Sequence, residues 1–333
     1  MSAFLRRLGV TITSIVGTIV LFDYFVLRTF FSHPGAEDST HSYLAGLRGL
    51  DGGRKGWGKV HVWSGSNTLR EPENAGIFRS QCGQDKMLVE EIYRSNPRNR
   101  FFIDLASNDP VYLSNSFALE THFNWKGICI EANPVHYIGL SKRKCTAVSA
   151  VVNDKVDEEV IFNFQPDLKP EELNPSFPAH LFGGIASKIT DNINVASANV
   201  TFRTTTLEAI LNRFKAPKVI DYLSLDVEGA ETQVMSVFPF HKYQIMVITV
   251  ERPKIELHNH LVKNGYWFVK IMSFWGEALY VHRNLPNLAA VMATRSDEIS
   301  SKRDDGNHRP MEEWWDYRNR YIYDPKWAPT TGR

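Results

Sequence analysis

The chain has 333 residues, and its 38 basic and 37 acidic side chains leave a formal net charge of +1. That balance creates no strong field for polyanions, so neither nucleic acid nor an acidic lipid surface is expected as a partner through charge. A hydrophobic content of 43% with 23% charged residues excludes a disordered chain and suits one large globular domain with extras, or two small ones.

Residues 8–27, LGVTITSIVGTIVLFDYFVL, form a 20-residue apolar run with one charge, Asp23. As a helix the run would span ~30 Å, the thickness of a bilayer's hydrocarbon core. Arg6 and Arg7 precede it, which predicts a cytosolic amino terminus. A single-pass signal anchor over residues 1–31 is the expectation, and a cleaved targeting peptide is the alternative. Either places the body of the protein in the secretory pathway, and the anchored form in the lumen of the endoplasmic reticulum or Golgi. The sequon Asn199-Val200-Thr201 points the same way.

Residues 32–79 are polar and glycine-rich and read as a stem or linker, with Trp57 and Trp63 available to dock it. Gly83-Gln84-Asp85 opens a helix with Asp85 as cap and Leu88, Val89 and Ile92 as its apolar stripe. A buried strand (101–106), a polar loop (107–110), a helix (114–123) and a second buried strand (126–132) then make a βαβ unit. Asn133 and Pro134 start the next helix, whose basic end, Lys142 to Lys144, reads as solvated. A third strand covers 146–152 and an edge strand 159–164. A proline-rich loop (166–178) and a turn at Gly183-Gly184 follow, a long loop of the kind that walls a substrate pocket.

Thr205 and Glu208 fit a capping box ahead of a helix with Leu207, Ile210, Leu211 and Phe214 on one face. Strand 221–227, a helix carrying Val234, Val237 and Phe238, and strand 243–251 come next. A helix between Pro253 and Gly265 leads to an antiparallel pair, 266–271 and 278–282. The fold class is α/β: a doubly wound, Rossmann-like, seven-stranded sheet, mostly parallel with an antiparallel terminal strand. The catalytic domain would run over residues 80–285, followed by a charged, aromatic extension over 286–333. The three cysteines lack metal-ligand spacing and are too few for a disulfide framework, and Cys129 reads as a small buried hydrophobe.

The chemistry lies at strand ends. Asp104 is near the end of the first strand, Glu131 ends the second, and Asp226 and Glu228 follow the fourth. In open parallel sheets ligands bind off the carboxyl ends, and an acid on the second strand is placed to bond a ribose diol. The loop Ala106-Ser107-Asn108-Asp109-Pro110 lacks the glycines a pyrophosphate needs, and Asp109 would repel phosphate. The pattern suits a cofactor with a ribose, positive charge and no phosphate, which describes S-adenosyl-L-methionine. No His, Cys or acid spacing argues for a dedicated metal.

The series GQD, DLASNDPVYLSN, WKGICIEANP, TTTLEAIL and DYLSLDVEGAE resembles the FkbM-type methyltransferase family, over residues 80–283. That resemblance implies the class I S-adenosylmethionine-dependent fold and methyl transfer, usually to oxygen, often on a sugar hydroxyl. Carried over by position, Asp104, Ser107, Asn108 and Asp109 would line the methionine end of the cofactor. Glu131 would hold the ribose, with Asn153 and Asp154 near the adenine. Asp226 and Glu228 would face the sulfonium and the acceptor, one of them as base, with Glu251 and a surface-placed His258 as outside options. Ala106 and Pro110 stand where the family commonly has glycine. The expected function is O-methylation of a glycan or other hydroxyl acceptor. The alternative is a non-catalytic, Star-like membrane protein that uses the fold for cargo binding.

Overall fold

The computed structural model describes residues 62–69, 76–94, 99–164, 183–187, 198–273 and 275–294. The expected anchor, Trp57, the proline-rich loop and the aromatic extension past 294 lie outside the described residues. Among the described residues no helix is long and apolar enough to cross a membrane.

Two sheets organise the described chain. The larger has eight strands, in the order β1 (Val62–Ser64), β4 (Thr146–Ser149), β3 (Lys126–Glu131), β2 (Phe101–Leu105), β9 (Val219–Leu225), β10 (Gln244–Glu251), β12 (Glu277–His282) and β11 (Tyr266–Ile271). The run from β4 to β10 is parallel. β12 is antiparallel to both its neighbours, and β1 is antiparallel to β4. The chain leaves β2 in one direction through β3 and β4, then returns to lay β9 on the other side of β2. The β2–β9 boundary is therefore the switch point, off whose carboxyl end α/β sheets bind ligands. The smaller sheet has the order β5 (Val151–Val152), β8 (Ala198–Thr205), β6 (Glu159–Phe164), β7 (Gly183–Ile185).

Side-chain alternation sends each central strand into two cores. Ile103, Leu105, Ile128 and Ile130 pack on one face, with Leu207, Ile210 and Leu211 of helix α4 (Leu207–Arg213), Val234 and Met235 of α5 (Glu231–Ser236), and Leu257 and Leu261 of α6 (Ile255–Lys263). Phe102 and Cys129 pack on the other, with Leu88 and Ile92 of the helix spanning Gln84–Lys86 and Met87–Ile92 (α1), Leu119 of α2 (Phe117–His122) and Leu140 of α3 (Tyr137–Leu140). A sheet covered on both faces explains why its strands read as apolar runs rather than alternations.

Several sequence expectations change. One sheet of seven strands was expected; the described residues form eight strands in one sheet and four in another. Val62–Ser64, inside the stretch read as stem, is an edge strand of the large sheet, and Trp63 packs on Tyr137 with ring centroids 5.5 Å apart. The run 146–152 splits into β4 and β5, so its end crosses into the smaller sheet. β6 is not an edge, because Gly183-Gly184 is a strand paired to it rather than a turn. Asp85 sits inside the helix's first turn and accepts the backbone N–H groups of Arg79 and Ser80. The cap of α4 is Thr206, whose side chain accepts the Ala209 N–H, one residue later than expected.

The basic end of the third helix is the largest correction. Arg143 is 1% exposed. Its Nε donates to Glu120 Oε1 at 2.6 Å, and its other nitrogens donate to the Ser114 and Ser116 hydroxyls at 3.0 Å. Cys129 and Cys145 form a disulfide, Cα atoms 6.0 Å apart, which ties β3 to the start of β4. Neighbouring parallel strands bring the two thiols together across 16 residues, which spacing alone did not reveal.

Candidate functional site

The loop after β2 is tightly folded. Ala106 has φ +63° and Asn108 φ +56°, both left-handed. The Ala106 and Ser107 N–H groups both donate to the Ile130 carbonyl, at 2.9 and 3.0 Å. Asp109 Oδ1 accepts the Val111 and Tyr112 N–H groups at 2.8 and 2.6 Å, so this acid caps its own turn. The Pro110 ring lies against Gly139: a Cβ there would come within 2.4 Å of Pro110 Cγ. Pro110 is thus accommodated by a glycine on the neighbouring helix.

Glu131, at the end of β3, braces this loop. Its Oε2 accepts the Asn108 N–H at 2.7 Å and its Oε1 the Asn133 N–H at 2.6 Å. Burial pushes its carboxyl up to about 7, against the lowering effect of these N–H donors.

Beyond β9, the turn places Glu228 at φ +52° and Gly229 at φ +100°. Glu231 Oε1 fixes that turn by accepting the Val227 and Gly229 N–H groups at 3.1 and 3.0 Å. Asp226 lies beside Glu251, which ends β10. Oxygens of Asp226, Glu228 and Glu251 lie within 4.8 Å of one another. Carboxylates this close either share protons or take a cation. Burial raises the carboxyls of both Asp226 and Glu251; the Asp226 charge raises Glu251 further, while the Glu251 side chain lowers Asp226, which fits one proton shared by the pair and held on Glu251. Glu277, opposite Glu251 on β12, is raised to about 8 by burial and by Asp226.

Two small cavities lie over these strand ends. One, of about 40 Å³, is lined by Leu105, Ala106, Glu131, Val151, Phe162 and Ile185 among others. The other, of about 30 Å³, is lined by Ala106, Asn108, Glu131, Asn133, Gly183, Asp226 and Glu228. The structure thus brings Asn108, Glu131, Asp226 and Glu228 together around one space.

Other expected residues go elsewhere. Asp104 is 2% exposed and turns away from the cavities, accepting the Ser116 hydroxyl beside Arg143. It anchors the loop from behind and does not line the crevice. Ser107 is buried with its hydroxyl 3.4 Å from the Ile130 carbonyl. Asp109 is spent on its turn. Asn153 and Asp154 lie outside both cavities, although Asn153 Oδ1 is buried without a partner among the described residues. His258 is buried rather than at the surface, with Nδ1 3.0 Å from the Tyr280 hydroxyl, and burial lowers it to about 4. The sequence reading left out Glu231 and Glu277 and kept Glu251 at the margin. Glu251 ends an apolar strand just as Glu131 does, which was the available signal.

Parallel strands that deliver loops and acids to one crevice define an α/β domain of the kind that binds ligands off its strand ends. Residues 104–268 match the family model described as Methyltransferase FkbM domain. The match begins at Asp104, takes in Glu131, Asp226, Glu228 and Glu251, and ends within β11. It supports a methyltransferase-type function for this segment. Comparison with curated proteins gives no match.

Proposed function

We propose that the protein is an S-adenosylmethionine-dependent O-methyltransferase acting on a glycan or another hydroxyl-bearing acceptor. The strands β4-β3-β2-β9-β10-β12-β11 are read as its seven-stranded Rossmann-like sheet, with β1 added at one edge. The observation that carries the reading is the shared cavity of Glu131, Asp226 and Glu228 beside the Ala106–Asn108 loop.

The residues fit the cofactor's chemistry. An ionised carboxylate has about four lone-pair sites. On Glu131 the Asn108, Asn133 and Ala132 N–H groups take up to three, which leaves acceptor capacity for a ribose hydroxyl. Asp226 Oδ1 is buried without a hydrogen-bond partner among the described residues and faces the same region. Asn153 Oδ1 is a second orphaned acceptor, at the junction of the two sheets. Bound S-adenosylmethionine would supply an electrophilic methyl group. Asp226 or Glu228 would take the acceptor's hydroxyl proton, and the raised proton affinity of Asp226 favours it for that role. Asp104 would hold the loop's position through Ser116 rather than touch ligand.

The same proposal places the body in the lumen of the endoplasmic reticulum or Golgi, behind a single-pass anchor at residues 8–27. The Cys129–Cys145 disulfide supports that placement, because disulfides persist in oxidising compartments. Asn199 of the sequon is exposed on β8, which also supports it.

A second reading, a Star-like cargo-binding protein, is favoured by one observation. The cavities hold about 40 and 30 Å³, against about 300–1,000 Å³ for a small-molecule site. The test is transfer of labelled methyl from S-adenosylmethionine to a secretory glycan pool. Label in sugar ethers, lost in Asp226→Asn, supports the enzyme; absence of both cofactor binding and transfer to glycans or other hydroxyl compounds supports the second reading.

A further inference from the structure

The crevice is closed by the protein's own smaller sheet. Its floor is the carboxyl ends of β2, β3 and β9, with Ala106, Glu131 and Val227. Its roof is Phe162 of β6 together with all of β7, Gly183 to Ile185. Phe162 and Ile185 are buried in one apolar cluster with Ala132, Val151 and Ala230, so they pack down onto the floor. Ala106, Glu131 and Gly183 line both cavities. Two of these belong to the floor, so Gly183 is the roof residue common to both chambers.

The chambers differ in chemistry. The first is walled by Leu105, Ile130, Val151, Val152, Phe162 and Ile185. The second collects Glu131, Asp226 and Glu228. Lifting β7 would merge an apolar slot with an acidic one. The joined space suits a ligand that is flat and apolar at one end and cationic at the other, which neither chamber admits alone.

β7 is weakly held. It is three residues long, two of them glycine, and pairs only with β6 among the described residues. Glycine contributes no packing to a strand. Among the described residues the hold is the Ile185 side chain, the three-residue pairing and the Ala186 N–H to Ile161 carbonyl bond at 2.8 Å. Short elements with one paired edge open at low cost.

We propose that β7 is a gate over the cofactor crevice, latched by Ile185 against Phe162, Ala132 and Val151, and that ligand enters only when it lifts. The proposal rests on the cofactor reading above. A closed gate lowers apparent affinity by the fraction of molecules that are open. Loosening the latch therefore tightens binding.

The test titrates the full-length protein with S-adenosylmethionine and S-adenosylhomocysteine, comparing wild type, Ile185→Ala and Ile161→Ala. Ile161 is on the outer, exposed side of the same sheet and controls for general disturbance. Amide exchange at Gly184 and Ala186 is followed with and without ligand. Ile185→Ala is expected to bind about tenfold tighter, Ile161→Ala to match wild type, and the Ala186 amide to exchange faster when ligand is bound. Wild type and Ile185→Ala binding equally, with exchange at Ala186 unmoved by ligand, overturns the gate and leaves the cofactor reading standing. Binding by neither overturns the cofactor reading and the gate with it.

Discussion

Glu131 Oε2 accepts the Asn108 backbone N–H at 2.7 Å, across 23 residues of sequence. With the Ala106 and Ser107 N–H bonds to the Ile130 carbonyl, it joins the end of β3 to the loop after β2. It places a carboxylate beside two left-handed backbone positions, Ala106 and Asn108, where the chain turns most sharply.

Ala106 is the strained partner in that arrangement. A left-handed conformation costs an L-residue about 1–2 kcal/mol, while asparagine tolerates it better and glycine adopts it freely. Glycine's larger unfolded-state entropy offsets part of the gain. Ala106→Gly is expected to stabilise the protein by about 1 kcal/mol. Urea unfolding checks this, and a lower midpoint in the variant would contradict it.

Arg143 and Glu120 form a buried ion pair that also carries Ser114 and Ser116, and through Ser116 Asp104. Removing one partner of such a pair strands a charge and costs about 3–5 kcal/mol. Arg143→Met should show that loss. Adding Glu120→Gln should restore part of it by removing the stranded carboxylate. A double variant as unstable as the sum of the two singles would mean that the charges are not coupled.

Glu277 sets a pH dependence. Its carboxyl is raised from 4.5 to about 8 by burial, so the folded state holds a proton that the unfolded state releases. The stabilisation from that proton is full below pH 4.5 and is lost as pH rises through 8. Glu277→Gln should therefore gain stability over wild type at pH 8.5, by an amount on the order of 3 kcal/mol, and differ little at pH 4.5. Melting curves at the two pH values decide it; a gain that is equal at both would contradict the assignment.

The disulfide and the sequon test compartment. Closing a 16-residue separation is worth about 3 kcal/mol, so reductant should lower the melting temperature of wild type but not of Cys129→Ala/Cys145→Ala. Protein made in secretory cells should lose mass with a glycosidase that removes N-linked sugars, and Asn199→Gln should abolish that shift. An unshifted wild-type band, with Cys129 and Cys145 both free, would place the body in the cytosol.

The central strands were legible because burial on both faces writes continuous apolar runs, as in 126–131 and 244–251. Acids at their ends stood out for the same reason: Glu131 and Glu251 interrupt apolar text. The smaller sheet was not legible. Its strands β5 and β7 have two and three residues, too short to show a period, and Gly183-Gly184 carries turn chemistry in a paired strand. Asp104 lies at the strand end that the sequence indicates, with its carboxyl turned to Ser116 and away from both cavities. Its neighbours Phe102 and Ile103 are both apolar, so alternation gave no face. Arg143 looked like a solvated helix end because its partner, Glu120, lies 23 residues earlier on another helix. Long-range pairing of that kind leaves no local mark.

The most direct measurement is calorimetric titration of the full-length protein with S-adenosylmethionine, wild type beside Glu131→Gln. Loss of hydrogen bonds to a charged group costs about 1.5–3 kcal/mol, or roughly ten- to a hundredfold in affinity. Saturable binding by wild type, weakened by that factor in the variant while its fold is retained, is the predicted result. Equal affinity in the two proteins, or no heat of binding in either, would contradict the account.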